Sequence, residues 1–557
     1  MKISRFLLVV IALSLPMVAS AEYVYLEFDG IWYQKVYGST SDELSVAVPG
    51  GYSQNYGGYS GDIVIPEVVW GYRVTGIAQE AFKYCTELSS IFIPNSVKGI
   101  GSDAFYGCSS LTSIVIPNSV KYIGSGAFSG CSSLTSITFP DNWFSLYYTA
   151  LIGSAWYDNQ PDGVVYAGNV LYRYKGNVPS ESQIEIKEGT LGINQYAFSE
   201  QNGLKTIVIP NSVTTIGEEV FRNCNALTSV TIGNSVTSMG KSAFEGCSGL
   251  TSVHISDIAA WCKITFAHDI EYVFPYDDEP YCFEYYSYKS NPLIYAHHLY
   301  LGEEEIKDLV FPTSVTSIGE GAFYGCSGLT SVTIPISVTS IGSYTFSGCS
   351  GLTSVTIPNS MTSIESNAFS GCSNLNTYKV PVTDYSAFCT NKALGCIYSS
   401  LGKPVQLIDA EGKEITEFVV PDGVFSIGKE AFCNCTGLTA ILIAGSVTSI
   451  GNFAFWGCTS IMSVRSNIAE PFDVQGLFSS ETYRNGTLYV PVGTKDLYIR
   501  FDGWRQFLKI EEMGGTTGIK NVQQTAGNNK YYNLSGLHVE NPGKGLYIQN
   551  GKKVEIK

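Results

Sequence analysis

The sequence predicts a β-rich solenoid, a fold in which short structural units stack along one axis. Three observations predict it: a 23-residue unit recurs along most of the chain, its apolar residues keep fixed offsets, and 557 residues are too many for one compact core. One unit cannot bury its own apolar side chains. Neighbouring units must therefore stack to form a continuous core.

The unit is clearest between residues 111 and 133, which read LTSIVIPNSVKYIGSGAFSGCSS. A strand-like segment ends at Pro117, a second apolar stretch follows, and the unit closes with the anchor Phe128 and with Cys131. The anchors recur at 23-residue steps in four groups, Phe82, Phe105 and Phe128; Phe198, Phe221 and Phe244; Phe323, Phe346 and Phe369; and Phe432 and Phe455. We interpret these phenylalanines as the structural spine of roughly 14–16 turns, stacked about 4.7–4.9 Å apart.

The residues between the inward positions of the strand-like segment are expected to face out. They are mostly Ser and Thr, as at Ser136 and Thr138 or Ser354 and Thr356. Such residues suit sheet pairing and leave a face with few charges. Two interpretations remain open: a surface that only stabilises the sheet, and a broad face that binds another protein.

The two ends of the chain differ from the repeats. Lys2 and Arg5, an apolar run from Phe6 to Val18 and the small residues Ala19 to Ala21 have the pattern of a secretory signal. We predict a signal peptide at 1–21, an N-terminal cap at 22–59, the solenoid at 60–466, a C-terminal cap at 467–513 with a short helix from Lys495, a linker at 514–530 and a C-terminal β segment of two or three strands at 531–557. Without another long apolar stretch we expect no transmembrane span, and an exported protein, extracellular or on the outer cell surface.

Three insertions interrupt the repeats, near residues 142–182, 256–305 and 382–414. Loops on a rigid scaffold are where binding residues concentrate, and the second insertion combines acidic with aromatic residues. The candidate ligand contacts are Tyr272, Tyr276, Asp277, Asp278 and Tyr281 in the second insertion and Trp143 and Trp156 in the first. The aromatic members of this set could also serve as stacking platforms for a glycan.

Composition and motifs argue against several classes of function. A net charge of −16 with only 15% charged residues argues against nucleic-acid binding, which uses a basic patch or stripe. Ten of the 15 cysteines follow an anchor by three residues, and their parallel stacking favours free buried thiols over disulfides. His297 and His298 are expected to be exposed polar residues rather than metal ligands. Because no nucleophile-and-base pair or phosphate loop occurs, we expect no enzyme, cofactor or metal site.

The consensus LTSVTIP-x-SVTSIG-x-x-AF-x-GCSG, which opens with an L-x-x-L-x-L pattern, resembles the BspA-like bacterial leucine-rich repeat over about residues 60–466. The resemblance implies a curved solenoid on the surface of Bacteroidetes or related host-associated bacteria, and adhesion to host matrix proteins or other bacteria. The tail YNLSGLHVENPGKGLYIQNGKKVEIK resembles the last part of type IX sorting domains, which implies a sorting signal.

We therefore expect an adhesin or protein-binding scaffold. Two alternatives come from other classes of function. One is a surface component that binds or processes glycans. The other is a structural surface-layer protein that associates only with itself.

Overall fold

The computed structural model describes residues 23–36, 42–49, 57–142, 145–273, 283–365, 367–390 and 403–513, and four short strands between 531 and 556. Only the backbone is described for Val24, Val36, residues 269–273, residues 283–287 and those four strands. The predicted signal peptide lies outside the described residues.

The chain forms a β-solenoid of about 18 turns with a spacing of about 23 residues, which confirms the predicted fold class. The estimate of 14–16 turns was too low. The insertions and the C-terminal cap supply turns of their own, for example through the strands Val405–Ile408 and Lys509–Glu512, which pair in parallel with their neighbours.

Two sides of the solenoid are sheets of mostly parallel strands. The longer strands lie on one side, which we call the long-strand face. In chain order these strands are Gly61–Val64, Leu88–Phe92, Ser113–Val115, Ser136–Thr138, Ser182–Glu185, Leu204–Val208, Ser229–Thr231, Ser252–Ile255, Leu299–Leu301, Glu304–Glu305, Asp308–Val310, Ser331–Thr333, Ser354–Thr356, Thr377–Pro381, Val405–Ile408, Glu417–Val419, Ala440–Ile443, Ser463–Ser466, Thr487–Val490 and Lys509–Glu512.

The second side, the short-strand face, consists largely of two-residue strands and includes the N-terminal hairpin. Its strands are Tyr23–Phe28, Ile31–Val36, Glu43–Val46, Val68–Val69, Tyr72–Ile77, Gly99–Ile100, Tyr122–Ile123, Ser145–Leu146, Gly163–Ala167, Val170–Lys175, Gly192–Ile193, Thr215–Ile216, Ser238–Met239, Thr265–Phe266, Ser340–Ile341, Ser363–Ile364, Ser426–Ile427 and Ser449–Ile450.

The helices are short and lie in the insertions and the C-terminal cap. They are Ala155–Asp158, Ile258–Trp261, Leu293–Ala296, Tyr385–Thr390, Ser480–Asn485 and Lys495–Tyr498, with a 3-10 turn at Trp504–Gln506. The second insertion also carries an antiparallel hairpin, Asp269–Val273 with Phe283–Ser287. The C-terminal segment has four strands rather than two or three, Tyr531–Tyr532, His538–Val539, Gly545–Gln549 and Lys552–Ile556.

Strand alternation separates the inside of the solenoid from the outside. In the strand Ser113–Val115 the central Ile114 is buried, and both flanking residues are exposed. Within a group of regular units, a strand pairs in register with the strand 23 positions later, so Ser113 pairs with Ser136 and Ile114 with Ile137. Inward side chains therefore stack on their own equivalents, as the repeat requires.

The anchor phenylalanines stack along the core. Ten of the eleven are completely buried, whereas Phe369 is partly buried. Within the third group, consecutive ring centroids are 5.3 Å apart and the rings are within 8° of parallel. The stack ends at Phe369, whose ring meets Tyr378 edge-on at 5.5 Å, because the third insertion supplies no anchor in the next turn.

Thiols form a second ladder beside the phenylalanines. All thirteen cysteines in the described part of the chain are buried and free of disulfides. Seven thiols donate, over 2.9–3.2 Å, to the carbonyl of the anchor in the preceding turn; they are Cys108, Cys131, Cys224, Cys247, Cys349, Cys372 and Cys458. Burial raises the pKa of the Cys224 thiol to about 12. These cysteines are therefore apolar core residues with a satisfied donor.

Candidate functional site

The long-strand face presents two rows of outward side chains. In the third group the first row is Asp308, Ser331, Ser354 and Thr377, and the second is Val310, Thr333, Thr356 and Lys379. Most of these side chains are hydroxyls. The face also carries highly exposed valines, Val115 at 63%, Val310 at 63% and Val419 at 52%. It is therefore a β-sheet surface of low charge with apolar points.

A carboxylate begins the row of hydroxyls in two of the groups. Asp62 Oδ1 accepts hydrogen bonds from the hydroxyls of Ser90 and Ser89, at 2.6 and 2.9 Å. Asp308 Oδ1 likewise accepts from Ser331 and Thr330. In both cases the hydroxyl donors hold the pKa of the aspartate below its ordinary value. The hydroxyls thus stabilise the charged form of each carboxyl group.

A third side of the solenoid, which we call the turn ridge, is formed by the tight turns around the anchors. The residues two before each anchor all have φ between 51° and 63°: Glu80, Asp103, Gly126, Tyr196, Glu219, Ser242, Gly321, Tyr344, Asn367, Glu430 and Phe453. The residues two after each anchor have φ between 57° and 77°: Tyr84, Gly107, Gly130, Glu200, Asn223, Gly246, Gly325, Gly348, Gly371, Asn434 and Gly457.

Most residues at the first of these ridge positions are not glycine, although the left-handed conformation costs an L-residue about 1–2 kcal/mol. Stacking imposes the conformation, because backbone amides on the ridge donate to the next turn. The amide of Asp103 donates to Ser125 O at 2.7 Å, and that of Glu219 donates to Lys241 O at 2.9 Å. The backbone of the ridge is therefore fixed while its side chains differ from turn to turn.

Between the first and second groups the turn ridge carries three adjoining tyrosines. Tyr147 and Tyr148, both in the first insertion, have ring centroids 5.0 Å apart, and Tyr196 lies 4.6 Å beyond Tyr148. The Tyr196 hydroxyl donates to Glu219 Oε1 at 3.1 Å. Burial and this bond raise the pKa of Tyr196 to about 12, so the hydroxyl keeps its proton at neutral pH.

Ion pairs extend from Glu219, next to the three tyrosines, toward the second insertion. Arg222 bonds to Glu219 at 2.8 Å and lies 3.5 Å from Glu245, which in turn pairs with Lys289 at 2.9 Å. Burial alone would raise the pKa of Glu245, but Lys289, Ser242 and Arg222 together outweigh it, and the pKa lies below its ordinary value. Aromatic and ionic contacts thus connect the first insertion with the second along the ridge.

A second aromatic cluster lies at the base of the second insertion. Tyr288 is fully buried and donates its hydroxyl to Glu320, and burial and this contact raise its pKa. Its ring lies 5.7 Å from that of Tyr344, whose hydroxyl accepts a 2.9 Å bond from Asn367. These contacts fasten the insertion to the third group of repeats.

The structure describes only some of the predicted ligand contacts. Trp156 is partly buried in the helix Ala155–Asp158 and packs edge-on against Phe139 at 5.2 Å. The structure therefore gives Trp156 a packing contact, and its role as a ligand contact stays a prediction. Tyr272 is in the hairpin strand Asp269–Val273, of which only the backbone is described. The remaining candidates lie outside the described residues; they are Trp143, Tyr276, Asp277, Asp278 and Tyr281.

The histidines have local partners within the protein. His298 Nδ1 lies 2.6 Å from Glu305 Oε1, and this contact holds the pKa of Glu305 below its ordinary value. His297 bonds to Gly325 O at 2.9 Å. In the described part of the chain, no group of three or more His, Cys, Asp or Glu residues is arranged to hold a metal ion.

Sequence analysis did not identify Tyr196, Glu219 or Arg222 as candidate functional residues. All three lie inside regular units, whereas the acidic and aromatic residues that predict binding lie in the insertions. An alignment of the units identifies Tyr196 and Glu219, because the position two before the anchor changes between acidic, aromatic, amide and small residues, and it places Arg222 directly after the anchor Phe221. A position that varies within an otherwise constant unit is a useful signal in repeat proteins.

The stacked turns, the L-x-x-L-x-L strands and the continuous apolar core define a leucine-rich-repeat solenoid. Residues 59–155, 173–268, 296–396 and 410–475 match the family described as "BspA type Leucine rich repeat region", with six copies. These matches cover more than half of the chain. The chain therefore belongs to the BspA-type leucine-rich repeat family.

Among solved structures, the chain is similar to a leucine-rich repeat protein from Bacteroides ovatus, with 23% identity, coverage of 79% of this chain and 94% of that one, and a TM-score of 0.27. It is also similar to a leucine rich cell surface protein from Faecalibacterium prausnitzii, with 24% identity, coverage of 80% and 96%, and a TM-score of 0.26. A comparison with curated proteins gave no match. None of the helices in the described residues has the length and hydrophobicity needed to cross a bilayer.

Proposed function

We propose that this chain is an exported leucine-rich-repeat protein that binds protein partners outside the cell or at its outer surface, as an adhesin or binding scaffold. Export is supported by the signal-like pattern of residues 1–21. Leucine-rich-repeat proteins generally bind proteins. Host matrix proteins and bacterial surface proteins are the expected partners.

The observation that carries this proposal is the long-strand face. Its strands are aligned turn by turn, its hydroxyl rows carry few charges, and its exposed valines supply apolar contact points. Protein interfaces are typically depleted of charged residues in their buried centre. A surface with these properties can bury area against a partner without removing many charges from water.

Binding of the chain lacking residues 1–21 to immobilised host matrix proteins and to bacterial cells tests the proposal. Val115→Lys and Val310→Lys should each weaken binding by about tenfold, because a partner would bury an unpaired ammonium. Val492→Lys is the matched control: Val492 is 71% exposed in the C-terminal cap, so this variant should bind like the parent chain. Absence of binding to every member of the panel, or self-association alone, would contradict the proposal.

A further inference from the structure

We propose that Tyr147, Tyr148 and Tyr196, together with Glu219, form a binding site on the turn ridge for a neutral hexose polysaccharide. This inference does not depend on the protein-binding role of the long-strand face. The site lies on another side of the solenoid, and its residues differ from those predicted from the sequence for a glycan.

The aromatic part of the site is accessible. Tyr147 is 40% exposed, and Tyr148 and Tyr196 are half-buried. The rings are tilted by 34° and 53° from one to the next, so they form a stepped surface rather than one plane. The C–H groups on one face of a pyranose are weakly positive and match the negative face of an aromatic ring.

The tyrosines are held by the scaffold. The Tyr172 hydroxyl donates to Tyr148 O at 2.7 Å, and Tyr172 itself is completely buried. The Tyr196 backbone is fixed in the left-handed conformation, with φ of 60°, and its amide donates to Glu218 O at 2.9 Å. Binding to rings that are already ordered avoids much of the entropy cost of association.

A carboxylate adjoins the aromatic residues on the side of Tyr196. Glu219 holds the Tyr196 hydroxyl on one oxygen and Arg222 on the other, and each carboxylate oxygen can accept a further hydrogen bond.

The charge of the site selects the class of glycan. Carboxylates are acceptors that suit the hydroxyl groups of a neutral sugar. The net charge of −16 disfavours uronic acids and sulfated sugars, and the cation nearest to the rings, Arg222, is already paired with Glu219. Tyrosine and arginine are also enriched in protein interfaces, so a protein partner is the alternative that the experiment must distinguish.

Affinity electrophoresis of the chain lacking residues 1–21 tests this site, with gels that contain yeast mannan, barley β-glucan or hyaluronan. We expect mannan, β-glucan or both to retard the protein, and hyaluronan to have no effect. Tyr147→Ala and Tyr196→Ala should each weaken the retardation by about tenfold, and Tyr196→Phe, which keeps the ring, by less. Tyr122→Ala is the matched control, since Tyr122 is 52% exposed on the short-strand face, and should migrate like the parent chain.

Three outcomes would overturn the inference: no retardation by either neutral polysaccharide, retardation by hyaluronan alone, or equal losses in Tyr147→Ala and Tyr122→Ala. Unfolding midpoints of all variants show whether a loss reflects misfolding, and Tyr196→Phe keeps the test valid if Tyr196→Ala is unstable. If Tyr147→Ala instead abolishes binding to a matrix protein while no polysaccharide binds, the cluster is a protein-binding surface. Loss of matrix binding in Val115→Lys with polysaccharide binding intact separates the two sites.

Discussion

The long-strand face and the turn ridge are built from the same 23-residue unit but use it in opposite ways. On the face, neighbouring regular units often carry the same residue, as in the pairs Ser331 and Ser354 or Thr333 and Thr356, and the residue changes at the ends of the group, as at Val310 and Lys379. On the ridge the backbone is equally regular, yet the position two before the anchor is Glu219 in one turn and Tyr344 in another. The comparison indicates that stacking fixes the backbone of both surfaces, and that on the ridge the side chains change even between neighbouring regular units.

The largest effect should come from the core that supports both surfaces. Phe346→Ala removes a fully buried ring that is stacked between Phe323 and Phe369, and should destabilise the protein by about 3–5 kcal/mol through the cavity it leaves. Ser354→Ala on the long-strand face should change stability by less than about 0.5 kcal/mol. Urea denaturation gives both values.

Hydrogen exchange provides the control for the Phe346→Ala variant. Each turn contacts mainly its neighbours, so protection should fall in residues 323–369 and remain unchanged around Phe105 in the first group. Equal losses of stability for Phe346→Ala and Ser354→Ala would show that the assignment of inside and outside is wrong.

An intermediate effect concerns the difference in stability between Gly and Ala variants. This difference should have opposite signs on the ridge and on the face. At Glu219, with φ of 53°, the Gly variant should be more stable than the Ala variant by about 1 kcal/mol, because glycine adopts left-handed backbone without a Cβ clash. At Thr356, in an extended strand, the Gly variant should be less stable than the Ala variant. Both members of each pair lose the same side-chain contacts, so the difference between them reports the backbone.

Thermal and urea unfolding of the Gly and Ala variants at Glu219 and Thr356 measure these differences in stability. An Ala variant at Glu219 that is as stable as the Gly variant, or more stable, would mean that the ridge conformation is not strained, and that its non-glycine residues carry no energetic cost. The contrast between the two surfaces would then rest on side-chain identity alone.

Much of the fold could be predicted from the sequence because its signals are periodic. The 23-residue step of the anchors predicts stacking, and the alternation around Ile114 predicts which side chains are buried. The left-handed conformation two residues before the anchor could not be predicted, because the usual signal is a recurring glycine and positions such as Glu80 and Tyr196 carry none. There the cross-turn hydrogen bonds override the local preference of the residue.

The candidate site was harder to predict for a different reason. The sequence predicts Trp156 as a candidate ligand contact, but only the structure shows that its ring packs against Phe139. Conversely, Tyr148 and Tyr196 are 48 residues apart in the chain and meet only because the turns stack. Contacts between an insertion and a regular unit depend on how many turns the insertion contributes, which the sequence pattern does not determine.

The smallest effect concerns the carboxylates that begin the hydroxyl rows of the long-strand face. Hydrogen bonds from Ser331 and Thr330 place the folded-state pKa of Asp308 below its unfolded value of about 3.9. The resulting stabilisation is present above the unfolded pKa and is lost as pH falls through the folded pKa. Asp308→Asn should therefore leave stability slightly lower at pH 7 and make no difference at strongly acidic pH.

Unfolding midpoints of the parent chain and Asp308→Asn, measured from pH 7 down to about pH 2, test this pH dependence, and an NMR titration of the Asp308 carboxyl locates its pKa directly. Asp496→Asn, in the C-terminal helix Lys495–Tyr498, is the control away from the hydroxyl row. A difference between Asp308→Asn and the parent that grows at acidic pH would have the wrong sign. It would mean that the hydroxyl groups on this face do not stabilise the Asp308 carboxylate through hydrogen bonds.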